Sequence, residues 1–175
     1  MDEATRQIAE GLVCTMRNES IVKKVLPVSL LIEDKPCLIV GGGAIAARKI
    51  GHLLAAGAEV TVVSPDLSPD IARWKKSRKV RHTPRAFKVG DVMGQFVVFA
   101  ATDNKDVNLC VIKACQRRRI LCCASDTNWA VGDFMTPAII RHSALTVAVS
   151  TGGQSCTRAR RVKERLEQVI IDEKL

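Results

Sequence analysis

Short apolar runs and longer amphipathic stretches take turns along most of the chain. Apolar runs at residues 36–40, 59–63, 96–101 and 119–124, with a more polar run at 79–84, are typical of buried strands. Residues 44–56, 67–76 and 104–118 carry apolar positions at helical spacing between them. Strands that alternate with helices predict an α/β fold: a Rossmann-like doubly wound parallel sheet with helices on both faces.

The pattern changes after Asp126. Residues 134–140 and 144–150 predict two strands, and residues 155–172 predict a final helix with an apolar stripe. Because such strands do not complete a helix-covered sheet, we expect a second copy of the chain to cover them in a two-fold dimer. The predicted organisation is an extension at residues 1–25, a sheet domain at 26–133 and a dimerisation segment at 134–175. Residues 1–24 predict one amphipathic helix or two short ones, and residues 26–32 predict an edge segment laid against the sheet domain.

A run of glycines separates the first predicted strand from the first predicted helix. In the spacing Gly41-x-Gly43-x-x-Ala46, the first glycine permits a tight turn, the second lets a pyrophosphate approach the backbone, and the alanine lets the helix pack closely on the sheet. Free N–H groups and the dipole at the helix start favour an anion. A glycine-rich turn without a ligand is the alternative, but the strand before and the helix after favour a dinucleotide site.

Ligands of such sheets bind beyond the carboxyl ends of the strands. We therefore expect the cofactor to contact Gly41, Gly42, Gly43, Ala44, Ile45, Ser64, Pro65, Ala101, Thr102, Asp103 and Asn104. The last three are also good helix caps, and the two roles are compatible. Ser64 takes the place where many NAD sites carry an acidic residue, and Asp66 comes two residues later, so this position does not decide between NAD and NADP. The lack of an adjoining arginine favours NAD.

Asp126 directly follows the last predicted strand of the sheet. A carboxylate there is often only a turn former. It would also face the open cleft, where it could exchange a proton during hydride transfer, so we take it as the candidate catalytic residue.

The composition of the chain limits the classes of partner that we expect it to bind. Most of the charges behind the net charge of +9 are expected to form a solvated basic surface. The alternative is an anionic partner, either nucleic acid or a small molecule with several carboxylates or phosphates. Aromatic content of 3% argues against base-stacking modes of nucleic-acid binding. No apolar run is long enough to cross a bilayer and no signal peptide is apparent, so we expect a cytoplasmic protein. The seven cysteines match no metal-binding spacing and are expected to be mostly small buried residues.

Several longer segments together resemble one family. The segments "LPVSLLIEDKPCLIVGGGAIAARKIGHLLAAGAEVTVVSP", "FAATDNKDVN", "ILCCASD", "FMTPAIIRHSALTVAVSTGGQS" and "ARRVKERLE" resemble the precorrin-2 dehydrogenase module of siroheme synthases. The resemblance extends from about Leu26 to Glu167 in the family's order and spacing.

The resemblance implies that the chain oxidises precorrin-2 to sirohydrochlorin with NAD as cofactor, as a homodimer, and that Asp126 is catalytic. It also implies a tetrapyrrole substrate with several carboxylates, which the basic start of the last helix would bind. The expected substrate-binding residues are Thr151, Gly152, Gly153, Ser155, Arg158 and Arg161, although a solvated helix face is the alternative for any single arginine. Cys156 replaces the family's usual proline, so we expect a looser start to the helix.

The sequence is also compatible with two other functions. One is a bifunctional dehydrogenase and ferrochelatase with no resident metal site, because none of the three histidines has metal-ligand spacing to another. The other is a non-enzymatic NAD-binding regulatory domain. A nucleic-acid partner rests on charge alone, and we do not expect one.

Overall fold

The computed structural model describes residues 24–172, apart from the side chains of residues 127 and 128. The described residues form two compact units, one at Leu26–Pro137 and one made chiefly of residues 138–172. We call them the sheet unit and the hairpin unit.

The sheet unit contains five strands and three α-helices. The strands are β1 (Pro36–Val40), β2 (Glu59–Val63), β3 (Val80–Thr83), β4 (Val97–Ala100) and β5 (Leu121–Ala124). The helices are α1 (Ala44–Leu54), α2 (Pro69–Lys76) and α3 (Lys105–Gln116), with 3-10 turns at Val89–Val92 and Thr127–Val131. All strand pairs in this sheet are parallel, in the order β3-β2-β1-β4-β5. This is the predicted Rossmann-like topology, with its switch point between β1 and β4.

Alternate side chains of the strands enter two separate cores. Cys37 and Ile39 of β1 pack with Ile50 of α1 and Ile71 of α2 on one face. Leu38 and Val40 of the same strand pack with residues of α3 on the other face. Apolar runs buried on both faces are what parallel sheets require, which is why the sequence reads as continuous short apolar blocks.

The hairpin unit consists of an antiparallel pair and a long helix. Strand β6 (Ala138–His142) pairs with β7 (Leu145–Val149), and α4 (Cys156–Asp172) follows. Ile140 is buried, whereas Leu145 of β7 and Val162 of α4 keep 41% and 38% of their surface exposed. No described helix is both long and apolar enough to cross a membrane.

Two predicted segments differ from the structure. The strand predicted at residues 134–140 begins only at Ala138. The ring of Phe134 meets that of Phe99 edge-on with centroids 5.5 Å apart, and the Nζ atom of Lys49 donates to Oγ1 of Thr136. These contacts bind residues 134–137 to the sheet unit instead of to a hairpin.

The other difference concerns residues 26–32. This segment contains no helix or strand, and Leu26 and Leu31 are 83% and 88% exposed. Ile32 packs against the sheet core, so the predicted edge segment is wrong except at its last residue. The amphipathic helix predicted at residues 1–24 lies outside the described residues, apart from Lys24.

Candidate functional site

A cleft of about 820 Å³ opens at the carboxyl ends of β1, β2 and β4. All the residues that the sequence predicted as cofactor contacts line it: Gly41, Gly42, Gly43, Ala44, Ile45, Ser64, Pro65, Ala101, Thr102, Asp103 and Asn104. The lining also includes Ala86 and Phe87 after β3 and Cys110 of α3. These residues were missed because they follow the weakest strand or lie within a helix, where the local sequence carries no turn or phosphate signal.

The glycines of the cleft have different environments. Gly41 has a φ of +124°, and a Cβ atom there would lie 2.3 Å from the carbonyl oxygen of Ala101. A Cβ atom on Gly42 would lie 1.8 Å from the carbonyl oxygen of Asp66. A Cβ atom on Gly43 would meet no atom within 4 Å, because that position opens into the cleft. The first two glycines therefore serve close backbone packing, and the third leaves backbone accessible to a ligand.

Helix α1 presents uncapped N–H groups to this cleft. Gly43 is its N-cap residue, so no side chain accepts from the first turn, and the first turn holds no acidic residue. Such a helix start is a suitable site for an anion because its free N–H groups and dipole point outward.

Helix α3 also begins at the cleft, and its N-terminus is capped. The Oδ1 atom of Asn104 accepts from the backbone N–H groups of Asp106, at 2.9 Å, and Val107, at 3.1 Å. Capping is thus the observed role of the Asn104 side chain, and the residue also lines the cleft.

Asp126 is half-buried at the end of β5 and is not among the residues that line the cleft. Its Oδ2 atom accepts from Nδ2 of Asn108 at 2.8 Å. The same amide contacts Thr102, which does line the cleft. The candidate catalytic carboxylate is therefore one side chain away from the cleft lining, through a residue that the sequence did not single out.

Asn108 was missed because its position gives no signal in the sequence. It lies on the buried face of α3 with 1% of its surface exposed, where an apolar residue is the usual choice. A polar residue at a core position of a helix is the only hint that could have found it.

The predicted substrate residues lie together in the hairpin unit. Thr151, Gly152 and Gly153 form the turn after β7, and Ser155 caps α4 by accepting from the N–H group of Arg158 at 3.1 Å. This cap gives α4 a defined start, so the looseness expected from Cys156 is not observed.

The arginines of α4 differ in their partners. Arg160 and Lys163 form ion pairs with Glu164 and Glu167, one helical turn along. Arg158 and Arg161 are exposed and form no ion pair with any residue that the structure describes. The guanidinium groups of the two predicted arginines are thus accessible to an external anion, and so is that of Arg165, which is also exposed and has no ion pair with any residue that the structure describes.

The cysteines are only partly core residues. Cys37, Cys115, Cys122 and Cys123 are buried as expected, with the last two on opposite faces of β5, but Cys110 and Cys156 are exposed. Burial raises the pKa of the Cys37 thiol to about 11, so this thiol stays protonated near neutral pH. Within residues 24–172, no group of three or more His, Cys, Asp or Glu side chains is arranged to hold a metal ion.

Comparison with known proteins agrees with this geometry. Residues 28–138 match a family model described as "Putative NAD(P)-binding", and residues 143–168 match one described as "Sirohaem biosynthesis protein central". The precorrin-2 dehydrogenase of Bacillus subtilis is 32% identical over 146 residues, which cover 83% of this chain and 89% of that protein. The chain belongs to the precorrin-2 dehydrogenase family. The predicted resemblance is thereby confirmed.

Other members of the family differ in length. The siroheme synthase of Thioalkalivibrio sulfidiphilus is 43% identical over 144 residues, but the match covers only 29% of that protein. The solved structure of "SirC, precorrin-2 dehydrogenase" superimposes with a TM-score of 0.71 at 30% identity, covering 82% of this chain and 70% of that one. The superposition confirms the predicted fold class.

Proposed function

We propose that the chain catalyses the NAD+-dependent oxidation of precorrin-2 to sirohydrochlorin. The observation that carries the proposal is the cleft at the carboxyl ends of β1, β2 and β4, which all predicted cofactor contacts line. Similarity along 89% of a precorrin-2 dehydrogenase supports the substrate.

The cleft fits a dinucleotide. The position of a Cβ atom on Gly43 is open, and the uncapped N–H groups of α1 begin beside it, so this wall would hold the pyrophosphate. Bound NAD+ would supply the hydride acceptor. Side chains of the protein would bind and orient the reactants and accept the proton.

The lining of the cleft favours NAD over NADP. The residues that line it include Asp66 and Asp103 but no lysine or arginine. Arg85 is adjacent to the lining residue Ala86, but its Nη1 and Nη2 atoms donate to Asp91 at 2.8 and 2.6 Å. The lining residues therefore supply no arginine or lysine to a 2′-phosphate, a group that NADP sites typically pair with an arginine.

We assign the proton transfer to Asp126. Oxidation of the substrate removes a hydride and, from a second atom, a proton, and a carboxylate within reach can accept that proton. The Nδ2 atom of Asn108 donates to Oδ2 of Asp126, which keeps this carboxylate in one orientation. The accessible guanidinium groups of Arg158 and Arg161, with the turn at Thr151, Gly152 and Gly153 and the cap Ser155, are the proposed contacts for the carboxylates of the substrate.

Asp126→Asn tests the catalytic assignment. Its Oδ1 atom can still accept from Asn108 but cannot take a proton, so we expect turnover to fall by at least about 100-fold with NAD+ affinity unchanged. The assay follows NADH formation from enzymatically made precorrin-2, and calorimetry measures NAD+ binding. Asp70→Asn serves as the control because Asp70 is an exposed ion-pair partner on α2 outside the cleft. Wild-type turnover in Asp126→Asn would remove Asp126 from the mechanism.

We also propose that the protein is a cytoplasmic homodimer. Leu145 of β7 and the α4 residues Val162, Leu166 and Val169 leave 38–46% of their surface exposed, and apolar surface of this kind favours a second copy. Light scattering that gives the mass of a single chain at micromolar concentration would contradict the dimer.

Fe2+ insertion into sirohydrochlorin is a second hypothesis, supported by relatives that are named siroheme synthases. Mixing sirohydrochlorin with Fe2+, with and without the protein, tests it. Equal rates in both mixtures would exclude the activity.

A further inference from the structure

A buried amide joins the cleft lining to the candidate catalytic carboxylate. Asn108 lies one turn into α3 and is 1% exposed, one of the few polar residues in the core of the sheet unit. Its side chain contacts two separate segments, the end of β4 at Thr102 and the end of β5 at Asp126.

The partners determine the orientation of the amide. Its Oδ1 atom accepts from the backbone N–H group of Thr102 at 3.1 Å and lies 2.8 Å from Oγ1 of the same residue. Its Nδ2 atom donates to the carbonyl oxygen of Thr102 at 2.9 Å and to Oδ2 of Asp126 at 2.8 Å. In a flipped amide, Nδ2 would lie against the N–H donor of Thr102, and Oδ1 would lie against the carboxylate oxygen of Asp126. Only the observed orientation pairs every donor with an acceptor.

Three of these contacts are local and one is not. The contacts to Thr102 stabilise the turn between β4 and α3, which Asn104 also stabilises by capping the helix. The bond to Asp126 spans 18 residues of sequence and leaves this turn altogether. The turn between β4 and α3 is already capped and does not depend on the bond to Asp126. That bond instead fixes the position of the Asp126 carboxylate.

We propose that Asn108 is a positioning residue that holds the Asp126 carboxylate at a fixed position relative to the cofactor cleft. Thr102 is the other fixed point, because its N–H group is close to Gly41: a Cβ atom on that glycine would lie 3.1 Å from Thr102 N. The chain of contacts from the glycine loop through Thr102 and Asn108 thus ends at Asp126. The inference rests on the proposed function, since it assumes that Asp126 handles the proton.

Asn108→Asp removes the donor to Asp126 while keeping an oxygen that can accept from Thr102. We expect kcat to fall at least about tenfold, with the Kd of NAD+ within about twofold of the wild-type value. The same substitution in an Asp126→Ala background should change kcat by less than about twofold, because a residue that acts through Asp126 has nothing left to position. An equal loss of kcat in both backgrounds, or unchanged kcat in the single variant, would overturn the proposal.

A second measurement tests the contact without turnover and also covers the case in which Asn108→Asp does not fold. In ¹⁵N-labelled wild-type protein, both Nδ2 protons of Asn108 should exchange slowly with solvent because both are hydrogen-bonded. In Asp126→Ala, one of the two should shift and exchange faster by at least about tenfold. Unchanged exchange would show that Asn108 does not hold Asp126. A wild-type protein that shows this protection but forms no NADH from precorrin-2 would instead contradict the proposed function alone.

Discussion

At the scale of single residues, the shape of the cleft depends on the contacts that a side chain would make at each glycine of the loop. Gly41 turns the chain away from β1 with a positive φ and lies against the backbone of Ala101. Gly42 lies against the backbone of Asp66, and Gly43 faces open space. The fold therefore needs two of the glycines, and the third leaves the wall of the cleft open for the proposed cofactor.

Alanine substitutions should separate these roles. Gly41→Ala places a methyl group against backbone atoms at a strained φ, so we expect a loss of at least about 2 kcal/mol in the free energy of unfolding. Gly43→Ala should change it by less than about 1 kcal/mol, because the poorer N-cap is offset by a less flexible unfolded chain. Urea denaturation measures both, with Gly90→Ala as the control at another glycine whose Cβ position is open. Equal stability of the Gly41 and Gly43 variants would contradict this division.

The sequence could predict Gly41, Gly43 and Ala46 because a strand–turn–helix context gives each a stated role. It could not predict the contact between Gly42 and Asp66 or the bond between Asn108 and Asp126. Both join segments that are distant along the chain, and only the sheet order brings them together.

At the scale of elements, an ion pair between Arg85 and Asp91 stabilises the connection between β3 and β4. Asp91 accepts from both terminal nitrogens of Arg85 and from the N–H group of Lys88 at 2.8 Å. The hydrogen bond from Arg85 lowers the pKa of the Asp91 carboxyl, so the charged form is favoured in the folded protein.

This pair predicts a pH-dependent contribution to stability. A carboxyl whose pKa is lowered by folding stabilises the protein above its unfolded pKa, about 3.9, and loses that contribution as the pH falls through the folded value. We expect Asp91→Asn to melt a few degrees below the wild type from about pH 5 to 7, and the difference to shrink as the pH drops below about 4. Thermal melts of both proteins across this range measure it, and Asp70→Asn controls for exposed pairs. A difference that persists unchanged in acid would contradict the assignment.

Most elements of the sheet unit were predictable because each strand is a short apolar block between turn residues. The predicted ranges of β1 and β2 agree with the structure, and the other strands differ only at their ends. The start of β6 was not predictable, since Phe134 is as apolar as a strand residue but packs against Phe99 of the sheet unit.

At the scale of the whole molecule, the two units contain different parts of the proposed active site. The sheet unit contains the cleft, Asn108 and Asp126, and the hairpin unit contains the accessible arginines and exposed apolar surface. The net charge of +9 suits a substrate with several carboxylates, an interpretation that the charge alone could not separate from nucleic-acid binding. The family comparison favours the tetrapyrrole.

The most direct test of the central claim is a calorimetric titration of NAD+ into the wild-type protein and into Gly43→Val. The account predicts saturable binding to the wild type, binding weakened at least about 100-fold in Gly43→Val because its side chain fills the open wall of the cleft, and normal binding to Gly90→Val. Absence of binding to the wild type, or equal binding to a folded Gly43→Val protein, would contradict it.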